Sequence, residues 1–336
     1  MKLNCFAGSF LRKGGSFFMN GKKKNYKKAN LAKDYFGYIF IMPFIIVFVL
    51  FALWPIANTF FLSLTDATLF TMQDPNIIGF DNFISLINDD MFRIAFTNTW
   101  LLWLGNFVPQ MILALVLAAM FASTTFKIKG VGFFKAMYYL PNLLMPVTIA
   151  ALFQHYLTVH GPINTFLVGT TGILSEPRNF LEIVTDTRIT VMFLQTWMWF
   201  GQTAIVLVAG MTSISPSFYE SAMIDGASQR KMFFSITLPL LKPILLFVLI
   251  TSLVGGMQMF DIPLLLSDGP LGPPDNAVLT LNMFMNARRT HPANAIGNAA
   301  AISVILFFVS SFISIILFRM FREDDGKKRR RKEKTA

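Results

Sequence analysis

The sequence contains six runs of 18 or more residues without Asp, Glu, Lys or Arg: 35–65, 94–126, 136–175, 189–219, 243–260 and 290–318. A helix that crosses the hydrocarbon core of a bilayer needs about 20 apolar residues. One charge near its centre costs at least ~2.5 kcal/mol. Each run holds one candidate span, at 36–64, 94–121, 136–157, 189–211, 243–265 and 297–318. The chain is 54% hydrophobic and only 14% charged, whereas a soluble domain carries about 25% charge. So few charges cannot cover a water-facing surface. The expected fold is all-α, a polytopic transmembrane bundle of six spans. The single cysteine, Cys5, excludes a disulfide framework and a cysteine metal cluster. Three histidines, His155, His160 and His291, leave little for metal catalysis.

The net charge of +11 is concentrated at the ends, with nine of the 29 basic residues in 1–33 and nine in 319–336. Basic tails can bind nucleic acid. Here both abut apolar runs, so they read as anchors on an anionic cytoplasmic membrane face, with no nucleic-acid partner expected. Lys and Arg number one in 65–93, three in 122–135, two in 158–188 and three in 212–242. That alternation places both termini and the second and fourth loops in the cytoplasm. Arg288 and Arg289 in 266–296 weaken it slightly. Residues 1–18 are basic but lack the apolar core of a signal peptide, and Met19 offers an alternative start. The domain reading is a basic segment at 1–34, a membrane domain at 35–320 and a basic tail at 321–336. Residues 1–30 and 326–336 are expected to be poorly ordered or to lie on the surface.

Ion-coupled carriers place ionisable groups inside their helices. Only Asp261 comes near a span here, toward its outer end. There is no His-x-x-x-His, no Gly-x-Ser-x-Gly, no paired intramembrane carboxylates and no Walker A loop. A membrane enzyme and a carrier working alone are therefore disfavoured, and energy for pumping has to come from another subunit. His155 reads as an interfacial histidine rather than a proton relay.

The loop 212–242 carries more information. Ser217 and Glu220 form Ser-x-x-Glu, a capping box that starts a helix. Gly226 stands where a C-terminal cap needs positive φ. A second helical stretch is expected up to Pro239. The loop resembles the hallmark of the permease subunits of binding-protein-dependent ABC importers, Glu-Ala-Ala-x-x-x-Gly followed by Ile-x-Leu-Pro. The matching residues are Glu220, Ser221, Ala222, Gly226, Ile236, Leu238 and Pro239, with Asp225 and Ala227 beside the glycine. Only Ser221 departs, small for small. Tyr38–Trp54, Gly79–Phe83, Tyr139–Pro141 and Ser267–Pro270 add weaker likeness to the carbohydrate branch, of the maltose and glycerol-phosphate type.

The resemblance implies the type I ABC importer permease fold in the cell membrane, with a coupling helix that docks on an ATPase. It also implies a second related permease, two ATPase subunits, an extracellular solute-binding protein and a sugar substrate. ATP and Mg would be bound by the partner subunits, with no cofactor in this chain. A non-sugar solute such as a polyol phosphate is the alternative. Gln195, Trp199 and Gln202 recur at i, i+4 and i+7 and share one helix face. Amides can bond the polar edges of a sugar and an aromatic ring can cover its C–H face. By the resemblance, Gln195, Met198, Trp199 and Gln202 align with sugar contacts in maltose-type permeases. Ser252, Gly255, Gly256 and Met259 align with the contacts on the fifth span, with Gln258 and Asp261 close by. The maltose permease is richer in asparagine there, so the sugar need not be maltose. The plainer reading makes the tryptophans interfacial anchors and the glycine pair a close helix contact.

Overall fold

The computed structural model describes residues 31–122, 129–267, 269–290 and 295–335. Most of the basic N-terminal segment, Lys127, Asp268 and His291 lie outside the described residues. The chain divides into two units, at residues 1–55 and 56–336.

In the first unit, α1 (Leu31–Phe48) passes into a π-helical stretch, Val49–Leu53, at whose end α2 (Trp54–Ser63) begins. The helix is apolar all round and exposed over 37–51, as a span bathed in apolar surroundings should be. Pro55 has no N–H for the carbonyl one turn earlier, which accounts for the widened turn just before it.

The second unit holds the bundle. After α2 come α3 (Asp81–Ile87), the long α4 (Asp90–Phe121), α5 (Val131–Leu143), α6 (Pro146–Tyr156) and the short α7 (Pro162–Asn164). Then follow α8 (Val184–Thr212), α9 (Pro216–Ile224), α10 (Gln229–Met232), α11 (Leu238–Leu240) and α12 (Lys242–Met257). The chain continues through α13 (Asp261–Leu266), α14 (Leu281–Thr290) and α15 (Ile296–Thr335). Among the described residues there is no strand, only isolated bridges at Thr65–Ile77 and Thr68–Ala295.

Among the described residues, four helices are long and apolar enough to cross a membrane unbroken: Gly37–Ser63, Asp90–Phe121, Val184–Thr212 and Ile296–Phe321. The third and fifth expected spans are not straight helices. Between Val131–Leu143 and Pro146–Tyr156 the chain turns by 88°. Pro146 drives the residue before it out of the helical region, and Met145 sits at φ −66°, ψ 134°. A 67° bend at Leu241 separates Gln229–Leu240 from Lys242–Met257. The expected span 243–265 begins after that bend and has its own break at 258–260, where α12 ends and α13 has not begun. Pro263 explains this second break, because it has no N–H for the carbonyl of Met259 and its ring crowds that carbonyl. Counting each bent pair as one span gives six. The last helix continues past the expected span 297–318 through the basic tail to Thr335.

The core forms along α4 and α8. Ala114, Ala118, Ala204, Leu207 and Val208 are buried together near one end. Leu102, Val191, Leu194 and Met198 pack with Ile149, Ile262 and Leu266 from α6 and α13. Hydrogen bonds cross the same seam: Gln110 Nε2 donates to Thr203 Oγ1 at 2.8 Å and Thr196 Oγ1 to Asn106 O at 3.0 Å. Small residues and such polar pairs hold helices together where lipid offers no hydrophobic drive. The loop after α13 is tied to this core through Arg188, whose Nε donates to Ala277 O at 2.9 Å and whose Nη2 donates to Asn98 Oδ1 at 2.9 Å. Asn98 Nδ2 then donates to Asn276 O at 2.7 Å.

Candidate functional site

All ten residues expected to meet solute line one cavity of about 340 Å³. Seven of them come from two helices, α8 and α12, and three from the segment that follows α12. α8 contributes Gln195, Met198, Trp199 and Gln202, and α12 contributes Ser252, Gly255 and Gly256. The unwound stretch and the first residue of α13 supply Gln258, Met259 and Asp261. The break at 258–260 thus opens onto a cavity, which is where irregular backbone is tolerated within a membrane domain.

Trp199 Nε1 donates to Gln195 Oε1 at 3.1 Å, one helical turn away. This bond orients the amide and steadies the indole, whose residue stays 45% exposed. Gln202 continues the face, exposed a turn further on. Met198 and Met259 are almost wholly buried and back the cavity from the core. The glycine pair has two roles. A Cβ on Gly256 would run into the Trp103 indole, so that glycine permits close packing, whereas a Cβ on Gly255 would meet nothing within 4 Å. Trp103 Nε1 donates to Ser252 Oγ at 3.2 Å, joining α4 to α12, and its ring stacks on Phe107 of the same helix at 5.4 Å.

The sequence reading missed the α4 wall. Trp103, Asn106 and Gln110 also border the cavity. They recur at i, i+3 and i+7, and two amides on one face of an uncharged span were a readable signal. Asp261 is the only charged residue among those lining the cavity, with no Lys, Arg or His. Among the described residues no group of His, Cys, Asp or Glu is placed to hold a metal ion.

Of the expected coupling residues, Glu220, Ser221, Ala222, Asp225, Gly226 and Ala227 gather on α9 and the turn after it, and Ile236, Leu238 and Pro239 lie further on. Ser217 is not the cap. Pro216 opens the helix with its fixed φ, Ser215 takes the N-cap position, and the two serine hydroxyls lie 2.9 Å apart. At the other end Gly226 has φ +72°. Its N–H donates to Met223 O at 3.1 Å, and Ala227 N–H donates to Ala222 O at 2.9 Å. This paired cap closes a helix and reverses the chain. Glu220, Ser221, Asp225 and Gly226 are exposed, as are Phe218, Met223 and Ile224. The second helical stretch does not stop at Pro239. Ile236 lies in a π-helical segment, Phe233–Thr237, and Leu238 and Pro239 in α11, which ends at Leu240. Tyr219 OH and Thr237 Oγ1, 2.9 Å apart, tie α9 to that segment. α9 follows α8, and α10 and α11 lead into α12, so the exposed turn is spliced between the two helices that supply most of the cavity.

A bundle of apolar helices with polar side chains and unwound backbone around a cavity belongs to the class of polytopic membrane proteins with a small-molecule site. The family model described as the binding-protein-dependent transport system inner membrane component matches residues 99–323, and the chain belongs to that family as a transport permease subunit. The lactose transport system permease protein LacF of Rhizobium radiobacter is 31% identical over 291 residues, covering 86% of this chain and 95% of that protein. The arabinooligosaccharides transport system permease protein AraP of Bacillus subtilis is 27% identical, covering 89% and 92%. A crystal structure of a bacterial ABC transporter involved in the import of the acidic polysaccharide alginate aligns with a TM-score of 0.72. It covers 87% of this chain and 96% of that one at 24% identity, and the likeness is one of fold.

Proposed function

We propose that the chain is the membrane-spanning subunit of an ATP-driven importer of a sugar or oligosaccharide, and that the cavity between α4, α8 and α12 holds the sugar in transit. The observation that carries this reading is the meeting of Gln195, Trp199 and Gln202 with the broken end of α12 in one cavity. Its volume falls within the ordinary small-molecule range of about 300–1,000 Å³. A pyranose has hydroxyl edges and an apolar C–H face. Gln195, Gln202 and Asn106 offer amides to the edges, and the exposed face of Trp199 suits the ring. A polyol phosphate fits less well, because no cation lines the cavity and Asp261 would repel a phosphate. Relatives whose names specify lactose and arabinooligosaccharides point the same way.

In this reading a second, related permease completes the pathway, an extracellular binding protein delivers the sugar, and two ATPase subunits bind ATP and Mg. The α9 turn, 220–227, docks on one ATPase. Its exposed Met223 and Ile224, with Phe218 just before them on α9, supply apolar contact, and Glu220 faces a basic or amide group. Because the turn is continuous with α8 and α12, closure of the ATPase moves both cavity walls. The test is the double replacement Gln195→Ala with Gln202→Ala. Uptake of the transported sugar should be abolished while assembly and receptor-stimulated ATP hydrolysis persist. Unchanged uptake affinity and specificity would remove this face from the pathway.

A further inference from the structure

The fifth span breaks where it borders the cavity, and the groups that take up its freed carbonyls come from α14. Pro263 cannot bond the Met259 carbonyl, and the hydroxyl of Thr280 does so instead, with Oγ1 donating to Met259 O at 2.7 Å. The neighbouring carbonyl of Gln258 accepts from Asn282 Nδ2 at 3.0 Å. Thr280 also caps α14. Its Oγ1 accepts from the N–H of Met283 at 3.3 Å, and its carbonyl accepts from the N–H of Phe284 at 2.9 Å. The next N–H, that of Leu281, donates to Thr99 Oγ1 on α4 at 2.9 Å. Thr99 and Thr280 are both 0% exposed. At the far end of α14, Arg288 forms an ion pair with Asp89, which itself caps α4 by accepting from Met91 N at 2.8 Å. α14 is therefore fastened to α4 at both ends while its first turn grips the broken helix.

We propose that Thr280 and Asn282 are positioning residues. They hold the unwound stretch 258–260 in the cavity wall, and through it they set which solute the cavity accepts. The solute part rests on the reading of the cavity as the sugar site. Neither residue lines the cavity, so any effect on solute passes through the wall. Replacing the Thr280 hydroxyl by a methyl leaves the Met259 carbonyl and the Met283 N–H without that partner in a buried place, a costly arrangement. The Met259 carbonyl is the part able to turn in response, since Pro263 offers it no N–H, whereas the N–H groups of Gln258 and Met259 and the carbonyl of Phe260 keep their bonds to Val254, Gly256 and Leu264. As that carbonyl turns, Gln258, Met259 and the adjoining Asp261 would shift with it.

The experiment uses the complete transporter with Cys5→Ser and a reporter, Gln258→Cys, whose rate of reaction with N-ethylmaleimide reads the position of the stretch. Thr280→Val should change that rate by about fivefold or more. Thr280→Ser keeps the hydroxyl and should restore it. Thr187→Val removes a different fully buried hydroxyl, one bonded to Ile183 O at 2.9 Å, and should leave the rate alone. In parallel, uptake of radiolabelled lactose, maltose and arabinobiose is measured without the reporter. Thr280→Val should raise the half-saturating concentration of an accepted sugar by about tenfold at an unchanged level of assembled transporter. An unaltered labelling rate in Thr280→Val, or an equal change in Thr187→Val, overturns the positioning role. Altered labelling with unaltered half-saturation overturns the role in selectivity. If the unmodified transporter accumulates none of the three sugars, it is the sugar reading that loses its support, and the labelling result decides the positioning role by itself.

Discussion

At the scale of single residues, Gly226 ties the backbone geometry of α9 to the proposed coupling role. Its φ of +72° closes α9 and turns the chain toward α10. A β-branched side chain is strongly disfavoured there, while asparagine tolerates the left-handed region. Gly226→Val should insert and assemble but lose solute-stimulated ATP hydrolysis and uptake, and Gly226→Asn should keep most of both. Normal coupled hydrolysis in the valine variant would dissociate this turn from coupling. The sequence displayed this glycine and its role as a cap. It misplaced the other end of the same helix, because Ser217 and Glu220 imitate a capping box while Pro216 is better suited to the first helical position.

At the scale of elements, close approach governs how α5, α8 and α12 are laid together. A Cβ on Gly201 would run into the backbone carbonyl of Tyr138, and backbone cannot swing aside as a side-chain tip can. Gly201→Ala should therefore destabilise the bundle by about 1–3 kcal/mol, as overpacking does, and lower the thermal midpoint of the purified protein. Gly255→Ala adds its methyl to open space and should leave that midpoint unchanged or raise it slightly, given the better helix propensity of alanine. Equal midpoints for the two variants would refute this account of the α5–α8 contact. None of this was readable from the glycines themselves, since Gly255 and Gly256 are neighbours in sequence and differ only in what faces them.

For the whole molecule, the distribution of Lys and Arg predicts which ends of the bundle face the cytoplasm. Ser85 and Ser175 should lie outside, and Ser228 inside, beside the coupling turn. All three are exposed, so cysteines placed there can react. With Cys5→Ser as background, an impermeant maleimide should label cysteines at 85 and 175 in intact cells, and one at 228 only after permeabilisation. Labelling at 228 from outside would reverse the orientation and remove the docking of α9 on an ATPase with it.

Fold class, the number of apolar runs and the existence of a short helix closed by Gly226 were determined by sequence alone. Each follows from a local property: the length of an uncharged run, the fixed φ of proline, the tolerance of glycine for positive φ. The face made by Gln195, Trp199 and Gln202 was legible for the same reason, because helical periodicity is local. That residues around 195 and around 255 converge was available only through the family likeness, and their meeting with Asn106 and Gln110 was not anticipated at all. Tertiary structure decided that. It also decided that Gly255 opens while Gly256 packs, and that a threonine beyond the fifth span replaces the partner which Pro263 denies to Met259. Such pairings join groups distant in sequence, 21 residues apart for Thr280 and Met259 and 149 for Trp103 and Ser252. Nothing in the local spacing of a chain encodes them, because they depend on which helices come to lie side by side.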